Sequence, residues 1–290
     1  MSGTLFIVAT PIGNLDDLTI RTRSAIESSK FVLAEDTRVT IKLLNHLGLK
    51  KQMISCHEHN EGDRLEALGQ AAVEGHSIAL ISDAGTPLIS DPGYQIVREA
   101  IALGMTVIPL PGPSAFLLAL VGSGLPCDKF VFEGFLPDKL SAQKARLEDL
   151  RTESRTLVFY VSPHKLVKNL TALSEVFGDR QICLARELTK LHEEFVRGTI
   201  SFMLKKYATE EIRGEFVLVV AGLPTNDESV QVTEDEVRVA IRAEFNAGRS
   251  VKDVSALLAD QFRWKKSDVY RLALDEQEKE SVRAENQITS

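Results

Sequence analysis

From Thr4 to Leu110 short apolar runs alternate with longer stretches of helical period, and this rhythm leaves few options for the chain. Apolar runs of four to six residues bury on both faces only in a sheet covered by helices, so the alternation predicts βα units building a mostly parallel sheet. The strands read are Leu5 to Thr10, Phe31 to Ala34, Gln52 to Cys56, Ser77 to Ser82 and Thr106 to Leu110. Helical stretches fall near Thr19 to Ser28, Arg38 to Leu47, Asp63 to Glu74 and Asp91 to Leu103. Gly48, Gly75 and Gly104 each follow such a stretch, where a left-handed residue commonly ends a helix.

A seam follows at Gly122-Ser123-Gly124-Leu125-Pro126, after which the alternation restarts with Phe130 to Phe132, Thr156 to Val161, Ile182 to Ala185 and Phe216 to Ala221. The polar run Pro224 to Glu228 opens a tail with helical periodicity alone, as in Val237, Ile241 and Phe245. The expected fold class is therefore α/β, with α/β domains over residues 1–122 and 127–222 and a small helical appendage over 233–275. Within the appendage, Ser250 is placed to cap a helix carrying Val251, Val254, Leu257 and Leu258, and Trp264 falls in the turn before Val269 and Leu272. This is a helix-turn-helix pattern, which two simply packed helices share.

Hydrophobic residues make up 44% and charged residues 26% of the 290, which excludes disordered, collagen-like and coiled-coil classes. A net charge of -7 excludes a general cationic surface, so a nucleic-acid partner must be held by local clusters. Such clusters occur at Lys139, Lys144 and Arg146, at Lys165 and Lys168, at Lys205 and Lys206, and at Arg263, Lys265 and Lys266. The three cysteines, Cys56, Cys127 and Cys183, have no metal or disulfide spacing, which fits a reducing cytoplasm. No targeting segment or membrane span is expected.

Three turns at strand ends carry the chemistry, because ligands of open α/β sheets bind at the carboxyl edge. The first is Ala9-Thr10-Pro11-Ile12-Gly13-Asn14, which lacks the glycines of a dinucleotide fingerprint. The second is Ser82-Asp83-Ala84-Gly85-Thr86-Pro87-Leu88-Ile89-Ser90-Asp91-Pro92, in which Ala84 and Gly85 let a ligand approach the backbone. Its end reads as a helix start, with Asp91 as N-cap and Pro92 as the first helical residue. The third, Pro109-Leu110-Pro111-Gly112-Pro113-Ser114-Ala115, is stiffened by three prolines.

Together these turns resemble the tetrapyrrole methylase superfamily, which binds S-adenosylmethionine between two α/β domains. Ala34-Glu35-Asp36-Thr37-Arg38, Cys56-His57-Glu58-His59-Asn60-Glu61, Phe132-Glu133-Gly134-Phe135-Leu136-Pro137, Ser162-Pro163-His164, Ala185-Arg186-Glu187-Leu188-Thr189-Lys190, Arg197-Gly198-Thr199 and Gly214-Glu215-Phe216-Val217 sharpen the likeness. With them the chain resembles the ribosomal small subunit methyltransferase I family, over about residues 4 to 222. That resemblance implies transfer of a methyl group to the ribose 2′-hydroxyl of a cytidine in 16S rRNA, on the RNA or on the small ribosomal subunit, by a homodimer. It implies cofactor contacts at Pro11, Ile12 and Gly13, at Ala84, Gly85, Thr86, Pro87 and Ile89, at Ser114 and Ala115, and at Val161 and Leu188. Thr86 stands where the tetrapyrrole enzymes have aspartate and Ile12 where they have proline, which weakens a porphyrinoid substrate more than the cofactor.

Methyl transfer to a hydroxyl needs the oxygen held in line with the methyl carbon, and positioning alone supplies about 7 to 11 kcal/mol of such a barrier. A general base adds about a hundred- to ten-thousandfold. Glu35 falls where some superfamily members have an acidic catalytic residue, and His57 near a superfamily lysine; both are candidates for the base or an orienting group. Glu35 with Arg38 equally reads as a structural ion pair. Arg38, Glu58, His59, Arg186, Lys190, Arg197, Lys265 and Lys266 are the candidate substrate contacts, with Lys190 and Arg197 suited to phosphate. His57 and His59 form the only close histidine pair and lack a clear third ligand, so no metal is expected. A small-tetrapyrrole methyltransferase and a noncatalytic RNA-binding or ribosome-assembly protein are the competing readings.

Overall fold

The computed structural model describes residues 3–224, 234–262 and 264–288, with side chains to residue 279. The chain divides into two compact units, Met1–Leu223 and Pro224–Ser290.

The first unit holds two five-stranded sheets. In the first sheet β1 (Thr4–Val8), β2 (Phe31–Ala34), β3 (Gln52–Ser55), β4 (Ile78–Ile81) and β5 (Thr106–Pro109) run in the order β3-β2-β4-β1-β5. Every pairing is parallel, so all five carboxyl ends emerge at one edge. The helices between these strands are α1 (Ile20–Ser28), α2 (Thr37–His46), α3 (Leu65–Val73) and α4 (Tyr94–Ala102). Leu5, Leu33, Ile78 and Leu80 pack on one face of the sheet and Val8, Val32, Ala79 and Ile81 on the other. Side chains alternate across a strand, so burial on both faces accounts for the unbroken apolar runs. Gly48, Gly75 and Gly104 take φ of 66°, 71° and 72° after their helices, as the sequence indicates.

α5 (Ala115–Gly122) leads into the second sheet, made of β6 (Phe130–Phe135), β7 (Thr156–Val161), β8 (Gln181–Arg186), β9 (Glu194–Thr199) and β10 (Phe216–Val220). Its order is β6-β7-β10-β8-β9, and only the β6–β7 pair is parallel. The strand β9 was not legible in the sequence: EFVRGT is half-buried and interrupted by charge. α6 (Leu140–Asp149), α7 (Leu166–Phe177) and α8 (Ile200–Tyr207) cover one face, where Phe159, Leu157, Leu170, Leu184 and Met203 are buried. The other face packs Val158, Cys183, Ala185 and Val217 against Ala119 and Leu120 of α5. A bulge at Glu133 breaks the β6–β7 register, and the half-turn it forces is taken by Gly134 at φ 64°. Arg146 closes on Glu133 through two 2.7 Å hydrogen bonds.

The second unit contains α9 (Glu234–Asn246), α10 (Val251–Phe262) and α11 (Lys266–Ile288). Val237, Ile241, Val254, Leu258, Val269, Leu272 and Ala273 form its core. The Ser250 hydroxyl accepts the Asp253 N–H at 3.3 Å, the expected cap of α10, while Leu257 faces solvent rather than the core. Trp264 packs against this core from the α10–α11 turn. Arg238 joins Glu234, Asp275 and Glu276 in ion pairs that hold α9 to α11. Arg263, residue 233 and the polar run beyond Pro224 lie outside the described residues.

Candidate functional site

Three turns leave the carboxyl edge of the first sheet side by side, and backbone contacts join them. Thr10 and Gly85 exchange both amide hydrogen bonds, at 2.8 and 3.0 Å, which ties the turn after β1 to the turn after β4. The Thr86 hydroxyl donates to the Pro113 carbonyl at 3.0 Å and ties the second turn to the third. That bond gives Thr86 a structural task at the position where the resemblance expects aspartate. Gly112 seats the third turn on Ala9, where a Cβ would come within 2.6 Å of the alanine methyl.

Against these turns lies a cavity of about 340 Å³, a size that admits a small-molecule ligand. The first-sheet wall comprises Ile12, Ala84, Gly85, Thr86, Ile89, Ser90, Asp91, Ser114 and Ala115. The opposite wall comes from the second sheet, with Tyr160 and Val161 at the end of β7 and Phe216 and Val217 at the start of β10. Antiparallel pairing sets Phe216 opposite both Val161 and Arg186, so three strand ends meet at this edge. Leu188, just beyond β8, and Phe135, Ser162, Pro163 and Glu215 complete the wall.

Of the expected cofactor contacts, Ile12, Ala84, Gly85, Thr86, Ile89, Ser114, Ala115, Val161 and Leu188 line this cavity. Pro11, Gly13 and Pro87 do not. Gly13 instead meets the turn after β8, where an added Cβ would fall 2.5 Å from Lys190 Cγ and 2.9 Å from the Thr189 hydroxyl. Both turns that approach the cavity hold side-chain-bearing residues at positive φ: Leu88 at 74° and Ser90 at 64°, Glu187 at 51° and Thr189 at 65°. Such backbone strain collects at functional sites, because only a surrounding structure with another purpose maintains it.

The polar candidates separate. Glu35 and His57 sit at the ends of β2 and β3 and do not line the cavity. Glu35 accepts the Asp83 N–H at 3.2 Å, and Asp83 in turn accepts the Asp36 N–H at 3.0 Å. Arg38 pairs with Asp36 rather than Glu35, so the expected alternative pairing does not form. The His57 ring contacts the Asn60 amide at 3.0 Å and lies 6.2 Å from the His59 ring, with Glu58 exposed between them. Among the described residues no group of three or more His, Cys, Asp or Glu side chains is arranged to hold a metal.

The basic candidates of the second sheet are engaged internally. Arg197 donates to the Ser123 carbonyl at 3.0 Å and to the Gly122 carbonyl, closing the end of α5 onto β9. Lys190 bridges Glu187 and Glu215 at 3.0 Å each, and Arg186 donates to the Arg213 carbonyl at 2.9 Å. Lys144, Arg146, Lys165 and Lys206 all have carboxylate partners. Lys265 and Lys266, like Lys139 and Lys205, are exposed and make no ion pair among the described residues.

One sequence reading is overturned. Asp91 and Pro92 do not start α4; its N-cap is Gly93, at φ 124°, and the helix begins at Tyr94. The amide groups of Gln95 and Ile96 are capped instead by the buried Glu61 carboxylate, at 2.9 and 3.3 Å. Asp91 is thereby freed from the helix and faces the cavity, half-buried. Burial pushes its carboxyl up to about 6, and the charge of Glu35 adds to the rise. Tyr160, Phe216 and Val217 were also missed in the sequence as cavity residues, since their strands read only as apolar core.

Comparison with known proteins agrees with this architecture. Residues 4–203 match the family Tetrapyrrole (Corrin/Porphyrin) Methylases. Among solved structures, the methyltransferase CobJ covers 76% of this chain and 95% of its own at 19% identity, with a TM-score of 0.58. The uroporphyrin-III-C-methyltransferase from Thermus thermophilus gives a TM-score of 0.52 at 19% identity over 76% of this chain and 94% of its own. These two likenesses establish the fold alone. The ribosomal RNA small subunit methyltransferase I of Pseudomonas aeruginosa is 42% identical over 96% of this chain and 99% of its own. The protein of the same name from Haemophilus influenzae is 41% identical over the same shares. Full-length identity at this level, on a fold with the loops and cavity just described, makes the chain a member of the tetrapyrrole methylase family, in its ribosomal RNA small subunit methyltransferase I branch.

Proposed function

We propose that this chain is an S-adenosylmethionine-dependent methyltransferase that methylates the ribose 2′-hydroxyl of a cytidine in the 16S rRNA of the small ribosomal subunit. The observation that carries the reading is the cavity between the three tied turns and the second sheet, in a chain 42% identical to a ribosomal RNA small subunit methyltransferase I. Its residues suit the cofactor. Gly85, at φ 80°, leaves its backbone open to a ligand, with only Ile12 and Pro113 near where a Cβ would stand. Ile12, Ala84, Ala115, Val161, Leu188 and Val217 offer apolar surface to an adenosine, and the amide groups of Ala84, Thr86, Ser114 and Ala115 offer polar contacts. Bound there, S-adenosylmethionine supplies an electrophilic methyl group on a sulfonium. The chain's own work is then to hold the ribose oxygen in line and to exclude water, the part of catalysis that positioning dominates.

Two further features belong to the same reading. Lys265 and Lys266, free of acidic partners among the described residues, are suited to RNA phosphates. On α5, Leu117, Leu118 and Val121 are exposed in a nearly all-apolar helix, which suits a second copy of the chain in a cytoplasmic homodimer. The decisive experiment gives methyl-labelled S-adenosylmethionine and the purified protein to small subunits isolated from cells lacking it. Labelled 2′-O-methylcytidine in 16S rRNA is expected, together with cofactor binding by calorimetry. Binding without ribose label would refute the substrate, and no binding would refute the cofactor.

A further inference from the structure

We propose that the Asp91 carboxylate is the base that accepts the proton of the ribose hydroxyl, an assignment that rests on the ribose methylation reading above. The cavity wall contains two carboxylates, Asp91 and Glu215. Glu215 is held by Lys190 at 3.0 Å, with its side chain 78% exposed at the rim. Asp91 has no cationic partner among the described residues and is half-buried. The other polar side chains of the wall are the hydroxyls of Thr86, Ser90, Ser114, Ser162 and Tyr160, none of which is a base near neutral pH.

Backbone geometry holds Asp91 in this place. Ser90, directly before it, sits at φ 64° with its hydroxyl against the Gly134 bulge, where a Cβ would stand 3.0 Å away. Pro92 and the positive φ of Gly93 then turn the chain into α4, whose amide groups need nothing from Asp91 because Glu61 caps them. A carboxylate with a local helix to cap, kept from capping it and facing a cavity, is placed for a reaction rather than for stability.

The groups that face Asp91 come from each neighbouring element: Glu35 after β2, Ser82 and Asp83 after β4, and Tyr160 of β7. Burial is the largest influence on its acidity, the charges of Glu35 and Asp83 act in the same direction, and the Ser82 hydroxyl opposes them. The outcome, about 6, lies where a base is both mostly ionised at neutral pH and strong enough to take a proton. In the step itself the ribose oxygen forms a bond to the methyl carbon, and the carbon–sulfur bond breaks with its electron pair left on sulfur. The hydroxyl proton passes to Asp91, which later releases it to water.

The test uses the full-length protein with saturating S-adenosylmethionine and unmethylated small subunits, in single turnover from pH 5 to 9. The wild-type rate should rise through an acid limb near pH 6. Asp91→Asn should slow transfer by about a hundredfold or more and lose that limb, with cofactor affinity in calorimetry unchanged. Glu35→Gln, which removes a neighbouring charge, should move the limb to lower pH. Carbon-13 NMR of aspartate-labelled protein should show one carboxyl titrating near 6 that is missing in Asp91→Asn. A rate within a few-fold of wild type across the pH range in folded Asp91→Asn would overturn the assignment. Should that variant not fold, a limb that stays in place in both Asp91→Glu and Glu35→Gln overturns it equally. Wild-type protein that binds the cofactor and methylates no ribose fails at the earlier reading, before any variant is compared.

Discussion

The two sheets of the first unit have five strands each but supply the cavity in different ways. The first is wholly parallel, so every strand delivers its following turn to one edge, and three such turns meet there without special arrangement. The second is mainly antiparallel and reaches the cavity only because the register sets the end of β7, the end of β8 and the start of β10 level with one another. The first wall is accordingly made of backbone-rich turns and the second of strand side chains. Recognition by backbone depends on small residues and positive φ, whereas a side-chain wall tolerates substitution.

The largest effect should come from the core of the second sheet. Phe159 is fully buried beneath α6, α7 and α8, and Phe159→Ala should cost about 3–5 kcal/mol of stability in urea unfolding. Cofactor affinity per folded molecule should hardly change, since Phe159 does not line the cavity. A matching loss of affinity would mean that the second sheet does more than provide a surface.

Next comes Gly85→Leu on the first wall. The first carbon would fit, at 3.5 Å from Ile12 Cγ2, but the φ of 80° is strained for leucine and the rest of its side chain would enter the cavity. Affinity for S-adenosylmethionine should fall at least about a hundredfold, or about 2.7 kcal/mol, in a protein that still folds. Unchanged affinity would remove the cofactor from this cavity.

Val217→Ala sharpens the contrast on the opposite wall. Removing its two methyl groups should lower stability by about 1–2 kcal/mol while affinity falls less than about tenfold. A loss as large as that of Gly85→Leu would erase the distinction between the two walls. The smallest effect should come from the second unit, where Lys265→Ala with Lys266→Ala should weaken substrate binding a few-fold. The salt dependence should become shallower by at most about 1.8 in log–log slope, about 0.9 for each phosphate that is no longer neutralised. An equal slope in parent and variant would leave the tail a role in stability alone.

Much of this was legible from local pattern. The βα rhythm located the first sheet within a residue or two at most strand ends, because a doubly buried parallel strand must be apolar throughout. Nine cavity residues were named through the family resemblance, and seven of them lie on the three turns whose glycines, prolines and small residues mark them in the sequence. Less legible was the second sheet, where β9 carries Glu194 and Arg197 and looks like a loop until its pairing with β8 is known. Arg197 looked like a phosphate ligand because nothing near it in sequence shows that the carbonyls of Gly122 and Ser123, over seventy residues away, take its donors.

The amino-acid sequence by itself determined the class of the fold, the edge at which the ligand-binding turns gather and the helical stretches between the strands of the first sheet, since each follows from periodicity or from the backbone limits of single residues. Tertiary structure decided what Asp91 is for. Asp-Pro ahead of an apolar-faced stretch is a sound helix start, and the local rule fails here because Glu61, 34 residues before Gln95, already satisfies the amide groups that Asp91 would cap. A cap requires only an acceptor at hydrogen-bond distance, whatever its position in the chain, and its partners, burial and neighbouring charges exist only once distant segments have packed.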